Sequence, residues 1–475
     1  MNFPEPGSPL VLETGVAILM LIVLLAGLLM PAGDKRRVGV LAGVGLVVLF
    51  GVSLRADPAT ELFRGAFVQD ELAVFSKRLF LLATLIGVLA SLPLRAVAFA
   101  RRATEYYLAI LASLLGMLVL ASARDLILLF LAFELMSIPL YYLTGFLKRE
   151  PEAVEAALKF FLVGTVSSAV LVYGLSFMYG IAGTTDVRGI AAVVSAGHPM
   201  MLLGMLLALG GLGFKIAAFP FHMWVPDTYE AASTPFVAWL SVAPKAAGFV
   251  VIFRLYLEGM GDRVLLWAPA AAGLATVTII GGNLMAIPQQ NVKRLLAYSG
   301  VAHIGYMLIG FAAVSASGLA MMLFYLVAYL FGNMGAFLVV EAVGQSEGSE
   351  AMTAYRGLAQ RSPLLALSML LFLLSLGGIP FVAGFWAKLY VFWAAAEQGL
   401  YWLVLVGAVL TVVALFYYLL IARRMYIDAP ERREPIPVPP LLSFCIFLCV
   451  LGVLIVGLYP KPLVSAALRA AAPLF

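Results

Sequence analysis

Long apolar runs alternate with short polar clusters from one end of this chain to the other. A helix needs about 20 apolar residues to cross the hydrocarbon core of a bilayer. Runs of that order recur at about 10–30, 38–54, 72–94, 104–122, 125–147, 153–180, 200–221, 235–258, 264–286, 293–313, 317–343, 363–395, 400–425 and 440–459. The pattern predicts an all-α polytopic membrane protein with about 14 transmembrane helices, because a helix satisfies its backbone polar groups within the segment. The polar clusters support the count. Lys35, Arg36 and Arg37, then Arg95, Arg101 and Arg102, Lys148 and Arg149, Lys293 and Arg294, Arg356 and Arg361, and Arg423, Arg424, Arg432 and Arg433 all fall in alternate loops. The opposite loops hold mostly single arginines: Arg55, Arg64, Arg124, Arg188 and Arg263. The positive-inside rule then places both termini outside. Lys77 and Arg78, at the outer start of the third span, read as snorkelling to the interface.

Composition agrees with the pattern. The chain has 475 residues, 63% hydrophobic and 12% charged, against about 45–50% apolar for soluble domains. The net charge of +5 comes from the basic loops and does not call for nucleic acid. Cys445 and Cys449 lie four apart on an apolar helix with no third ligand, so packing is the better reading and a metal site is not expected. No Cys-x-x-Cys, no dinucleotide fingerprint and no paired haem histidines occur, so no cofactor is expected within the chain. The opening MNFPEPGSPL has no basic region ahead of its apolar run, which reads as a retained span and not a cleaved signal.

Two spans carry helix breakers. The seventh reads GGLGFKIAAFPFHMWVPDTYEAASTP, with Pro220 and Pro226 after Lys215. The twelfth reads LSLGGIPFVAGFWAK, with Gly377, Gly378 and Pro380 before Lys388. Proline removes a backbone donor and clashes with the preceding turn, so both spans are expected to break. Broken backbone at membrane depth survives only against protein or a water-filled cavity. Interrupted spans in matching positions of two halves point to repeats around a transport path. The expected organisation is a three-helix segment at about 1–100, a five-helix repeat at about 101–260, an inverted second repeat at about 261–428, and a last helix within about 429–475.

The charges inside the spans are the candidate chemistry. Glu134 lies in LILLFLAFELMSIPLYYL, Lys159 in the sixth span, Lys215 before the first break, Lys245 in SVAPKAAGFVV and Lys388 after the second break. A charge near the bilayer centre costs about 2.5–3.5 kcal/mol on insertion scales, so such residues are functional by default. A dry environment disfavours a protonated lysine and a nearby carboxylate restores it, which makes a lysine with a movable acid partner a natural proton-loading site. Glu134 and Lys215 are the obvious pair, with a structural ion pair as the other reading. Pro244 beside Lys245 is expected to loosen local hydrogen bonding and admit water. Snorkelling suits Lys159, only about two turns into its span. His303, in RLLAYSGVAHIGYMLIG with Tyr298 and Ser299 nearby, reads equally as a relay or as a satisfied core residue. His222 and Asp227 follow the first break and read either as proton collectors or as helix caps. His198 reads as inert. Arg254, Tyr173, Tyr325 and Tyr329 read as packing or interfacial anchors.

The strings KIAAFPFHMWVPDTYEAASTPFVAWLSVAPKAAGF, NVKRLLAYSGVAHIGYMLIG and LSLGGIPFVAGFWAKLYVF resemble the signatures of the antiporter-like membrane subunits of respiratory complex I, NADH:quinone oxidoreductase. The resemblance covers essentially the whole chain. Lys388 stands where the M-type paralogue would have glutamate, and the short tail lacks the lateral helix of the L type, so the N branch is the most similar. The resemblance implies a proton-translocating, non-redox subunit of a bacterial inner-membrane translocase. Its partners would be the other membrane-arm subunits and lipid, with FMN, iron–sulfur clusters and quinone held elsewhere in the complex. It also implies that Glu134 and Lys215 modulate each other, that Lys245 is a central connecting lysine, that Lys388 is the terminal one, and that Lys159 and His303 accompany them. The alternative is a subunit of a multi-subunit cation/proton antiporter or a membrane-bound hydrogenase, which share the fold.

Overall fold

A computed structural model describes residues 9–31, 35–58, 60–94, 97–193, 199–260 and 264–475. His198, Arg95, Arg263 and the opening eight residues lie outside the described residues. The helices in chain order are α1 (Val11–Leu29), α2 (Arg37–Ser53), α3 (Glu71–Ser91), α4 (Val97–Ser122), α5 (Leu126–Thr144), α6 (Pro151–Ala182), α7 (Val187–Val193), α8 (Pro199–Ile216), α9 (Trp224–Ala231) and α10 (Thr234–Leu240). There follow α11 (Ala243–Phe253), α12 (Val264–Ala286), α13 (Val292–Ala312), α14 (Ala316–Glu347), α15 (Leu358–Arg361), α16 (Pro363–Gly377), α17 (Ala383–Glu397), α18 (Tyr401–Tyr426), α19 (Pro440–Leu458) and α20 (Lys461–Ala471). A small antiparallel hairpin, β1 (Thr60–Leu62) with β2 (Phe67–Gln69), precedes α3.

Among the described residues, twelve helical segments are long and apolar enough to cross a membrane. The shorter apolar helices Arg37–Ser53 and Pro363–Gly377 account for the remaining expected spans. Both interruptions fall where the prolines and glycines placed them. α8 stops at Ile216 and α9 resumes at Trp224, while α16 stops at Gly377 and α17 resumes at Ala383. A third interruption lies at 241–242, just before Pro244, and divides α10 from α11. Helix starts are set locally by side-chain caps: Asp70, Asp125, Asn291 and Ser315 each accept from backbone N–H groups in the first turn of α3, α5, α13 and α14. Such caps satisfy donors that the helix itself cannot.

The chain divides into two compact units, one of residues 1–216, 243–267 and 469–475, the other of 217–242 and 268–468. The first unit holds a buried ion cluster that the sequence did not reveal. Arg254, fully buried, donates from Nη1 and Nη2 to the two Asp70 oxygens at 2.6 and 2.7 Å, and from Nη2 to the Ala121 carbonyl at 3.0 Å. It also pairs with Glu258. Arg124 reaches Glu258 at 2.7 Å, Glu61 at 3.1 Å and Asp70 at 3.2 Å. Arg254 therefore joins α3, α4 and the π-helical turn Arg254–Glu258 as an ion-pair centre, and the expectation of a simple anchor does not hold. Lys77 differs from expectation as well. It does not snorkel: it is fully buried and pairs with Glu13 of α1 at 2.7 Å. Side-chain length alone cannot tell a lysine reaching outward from one reaching for an acid on a distant segment.

Burial opposes charge on Asp70, but Arg254, the Ala73 N–H and Arg124 outweigh it and hold the carboxyl below its usual range. The stabilisation it contributes is present at neutral pH and is lost as pH falls from the unfolded carboxylate value, about 4, through the depressed folded value. Thermal unfolding of the purified protein in detergent should be steady from neutral pH to about pH 5 and decline below it. Asp70→Asn should start less stable and show a weaker acid limb.

Candidate functional site

The first unit carries Glu134, Ser168, Lys215 and Lys245 on α5, α6, α8 and α11. Glu134, half-buried on α5, accepts from Ser168 Oγ of α6 at 2.6 Å. One turn further along α5, fully buried Ser137 donates to Phe133 O at 2.6 Å and accepts from Lys215 Nζ at 2.8 Å. Lys215 is thus placed through Ser137, one turn from Glu134, whose carboxylate acts on it electrostatically. The lysine lies in the last turn of α8, where the break exposes carbonyls that favour a cation. Its Nζ lies 5.3 Å from the Phe133 ring centroid. Lys245, buried at 1% exposure, lies in the first turn of α11, the end of a helix dipole that opposes a cation. Gly248, one turn on, lets α8 come close: a Cβ there would stand 2.9 Å from Ile216 and 3.3 Å from Lys215 Cγ.

In the second unit, His303 of α13 is buried between tyrosines. Its Nδ1 lies 2.8 Å from the Tyr325 hydroxyl and its Nε2 lies 3.2 Å from that of Tyr418, which in turn bonds Ser299 Oγ at 2.5 Å. Tyr329 packs its ring 5.2 Å from the imidazole. Tyr325 and Tyr329 therefore pack in the histidine's surroundings and are not interfacial. Tyr173 does lie on the exposed face of α6. Lys388 of α17 donates to Gly377 O, a carbonyl freed by the second break, at 3.3 Å. Its Nζ lies 4.6 Å from the Tyr306 ring centroid, a distance at which the ring face attracts a cation. The Tyr306 hydroxyl accepts from Asn283 Nδ2 at 3.4 Å, and Asn283 Oδ1 accepts from Tyr417 at 3.0 Å. Tyr417 and Tyr418 are neighbours on α18, so polar side chains of α12, α13 and α18 connect the surroundings of His303 to those of Lys388. Asn283, Tyr306, Tyr417 and Tyr418 were missed because one tyrosine in an apolar span looks like any other until its hydroxyl finds a partner.

The remaining candidates separate. Lys159 is not buried with the other lysines: it lies on the exposed face of α6 and pairs with Glu155 one turn away at 2.7 Å. His222 is buried, with Nε2 3.3 Å from Met285 Sδ and its ring stacked on Phe219. Burial holds this imidazole below the usual histidine range, with the Pro220 carbonyl acting in the opposite direction. Asp227 pairs with Arg294 at 2.9 Å, an arginine that Glu230 shares at 2.7 Å. Cys445 and Cys449 are buried on α19. Among the described residues no three histidine, cysteine or acidic side chains gather as metal donors.

The glycine at the second break positions Lys388. Gly378 has φ +81°, and a Cβ there would lie 3.0 Å from Lys388 Cδ. Gly378→Ala should cost about 1–3 kcal/mol in backbone strain and push Lys388 from its carbonyl. The purified variant should melt several degrees lower than the wild type in detergent, measured by thermal unfolding.

Residues 123–414 match the family described as NADH:quinone oxidoreductase/Mrp antiporter, transmembrane. A protein of Moorella thermoacetica named NADH-quinone oxidoreductase subunit N is 39% identical over 469 residues, 98% of each chain. A protein of the same name from Heliobacterium modesticaldum is 40% identical over 483 residues, the full length of both. Among solved structures, a chain of respiratory complex I from Thermus thermophilus with bound aureothin superposes with a TM-score of 0.81 at 32% identity, covering 96% of this chain and 98% of that one. The chain belongs to the NADH:quinone oxidoreductase/Mrp antiporter transmembrane family.

Proposed function

We propose that this chain is a proton-translocating membrane-arm subunit of a bacterial NADH:quinone oxidoreductase. The observation that carries the reading is the placement of three buried lysines, Lys215, Lys245 and Lys388, each beside a helix interruption. Full-length similarity to proteins named subunit N supports the choice of complex. In this reading the chain holds no redox group, and flavin, iron–sulfur clusters and quinone belong to partner subunits. Both termini face the periplasm. Quinone reduction elsewhere in the complex changes the electrostatic balance around Glu134. When the carboxylate is near, it holds the proton on Lys215; when its influence is withdrawn, the proton is released. Ser137 keeps the ammonium and the acid one helical turn apart, so the balance shifts without either group leaving its helix. In the second unit, His303 and Lys388 take up and release protons within their shell of hydroxyls.

Purification from native membranes in mild detergent, with subunit identification and NADH:quinone assay, tests the assignment. Flavin and iron–sulfur subunits should copurify and the preparation should reduce quinone with NADH. Copurification with small antiporter subunits alone would overturn the assignment in favour of a cation/proton antiporter.

A further inference from the structure

Near the charged end of α14 lies a buried acid that the arrangement above does not use. Glu341 is 7% exposed and sits beside Gln345, whose Nε2 donates to Glu341 Oε1 at 2.6 Å. The Thr234 hydroxyl also bonds it, and Lys293 and Glu350 are the charged groups close enough to act on it. Lys293 is the obvious counter-ion, but its ammonium hydrogens are committed elsewhere. Nζ donates to Glu350 Oε1 at 2.9 Å, to Ala232 O at 2.8 Å and to Glu230 O at 3.1 Å. An ammonium has three donors, so Glu341 is left with neutral partners. A buried carboxyl held by an amide and a hydroxyl can carry or lose a proton without breaking an ion pair.

Polar residues continue from Glu341 along α14. Tyr325, Tyr329, Asn333, Glu341 and Gln345 follow at four-residue steps, with Phe337 completing the series. Residues four apart are neighbours on a helix surface. The series begins at His303, which bonds Tyr325 and contacts Tyr329. Asn333, fully buried, donates from Nδ2 to Ser241 Oγ at 2.7 Å, and its Oδ1 accepts no hydrogen bond among the described residues. The one apolar step, Phe337, is packed edge-on by Tyr229 at 5.8 Å, and Tyr229 is in electrostatic range of Tyr329. From Glu341 to Tyr325 is sixteen residues, about 24 Å of helix.

We propose that Glu341 is the proton-loading residue of the second unit. Its carboxylate takes a proton from the aqueous side at the charged end of α14 and gives it to water held along the Asn333–Tyr329–Tyr325 face, through which it moves towards His303. This rests on the functional reading above. The test uses the purified, reconstituted complex carrying Glu341→Gln, with NADH-driven pumping and coupled turnover followed from pH 6 to pH 9. Pumping should fall roughly a hundredfold, the low end of a lost acid–base group. The loss should deepen as pH rises, because bulk protons become scarce, and Glu341→Asp should restore part of the rate and the profile. Wild-type pumping and pH profile in Glu341→Gln would overturn the proposal. If that variant does not assemble, Glu341→Asp decides: a slowed rate with an altered pH profile supports the proposal, and a wild-type profile overturns it. A wild-type complex that reduces quinone without pumping would instead refute the functional reading itself.

Discussion

Replacing Lys215 by alanine is expected to leave the complex assembled and to reduce proton pumping and coupled quinone reductase activity at least tenfold. The buried ammonium is held by the single hydroxyl of Ser137 and by the field of Glu134, so its removal strips no multidentate ion pair from the core. What disappears is the only group at that position able to take up and give back a proton. Lys215→Arg separates charge from proton exchange. The guanidinium keeps the charge but does not release its proton in proteins, so it should fail to restore pumping. Lys159→Ala is the internal comparison: its exposed pair with Glu155 is worth about 0.3–0.5 kcal/mol, and activity should fall far less. Pumping at the wild-type rate in an assembled Lys215→Ala complex would remove this lysine from the mechanism.

The largest effect on stability is expected from Arg254→Ala. The guanidinium serves both oxygens of Asp70, a carboxylate oxygen of Glu258 and the Ala121 carbonyl from a fully buried position. Removing one partner of a buried ion pair leaves uncompensated charge and costs about 3–5 kcal/mol. Arg124 already spans Asp70, Glu258 and Glu61 and cannot take over the second bidentate contact. The variant should show a clearly lowered melting temperature in detergent and reduced abundance in the membrane. Arg254→Lys should recover little, because a point-like ammonium cannot reproduce the planar fork. Arg188→Ala, which removes a half-exposed contact to Glu61, should cost under about 1 kcal/mol. Equal melting temperatures for Arg254→Ala and Arg188→Ala would show that the cluster does not hold the unit together.

Spans and breaks were legible in the sequence because both are local properties. Hydropathy over about 20 residues decides insertion, and Pro220, Pro226, Gly377, Gly378 and Pro380 act on their own turns. The isolated lysines stood out for the same reason, since Lys215, Lys245 and Lys388 have no acidic residue within about two helical turns along the chain. What escaped was every residue whose meaning lies in a distant partner. Lys77 reaches Glu13 across 64 positions, Arg254 reaches Asp70 across 184, and Tyr418 reaches His303 across 115. Glu341 escaped for a related reason: near the end of its span it resembles an ordinary interfacial acid. Only the commitment of Lys293 to Glu350 and two carbonyls reveals that no cation is reserved for it. Lys159, for which snorkelling was the better reading, does lie on the exposed stripe of α6.

The ion cluster of the first unit has a consequence for an energised membrane. Asp70 and Glu258 stand against Arg124 and Arg254, and Glu13 stands against Lys77, so opposite charges cancel where they lie. A transmembrane voltage does work only on net charge that is displaced, about 2.3 kcal/mol per elementary charge per 100 mV. The cluster, neutral as a whole, therefore offers such a voltage little net charge to move. The potential can act only on groups whose charge is not cancelled in place, and among the buried groups of the first unit Lys215, held by the neutral hydroxyl of Ser137, is one.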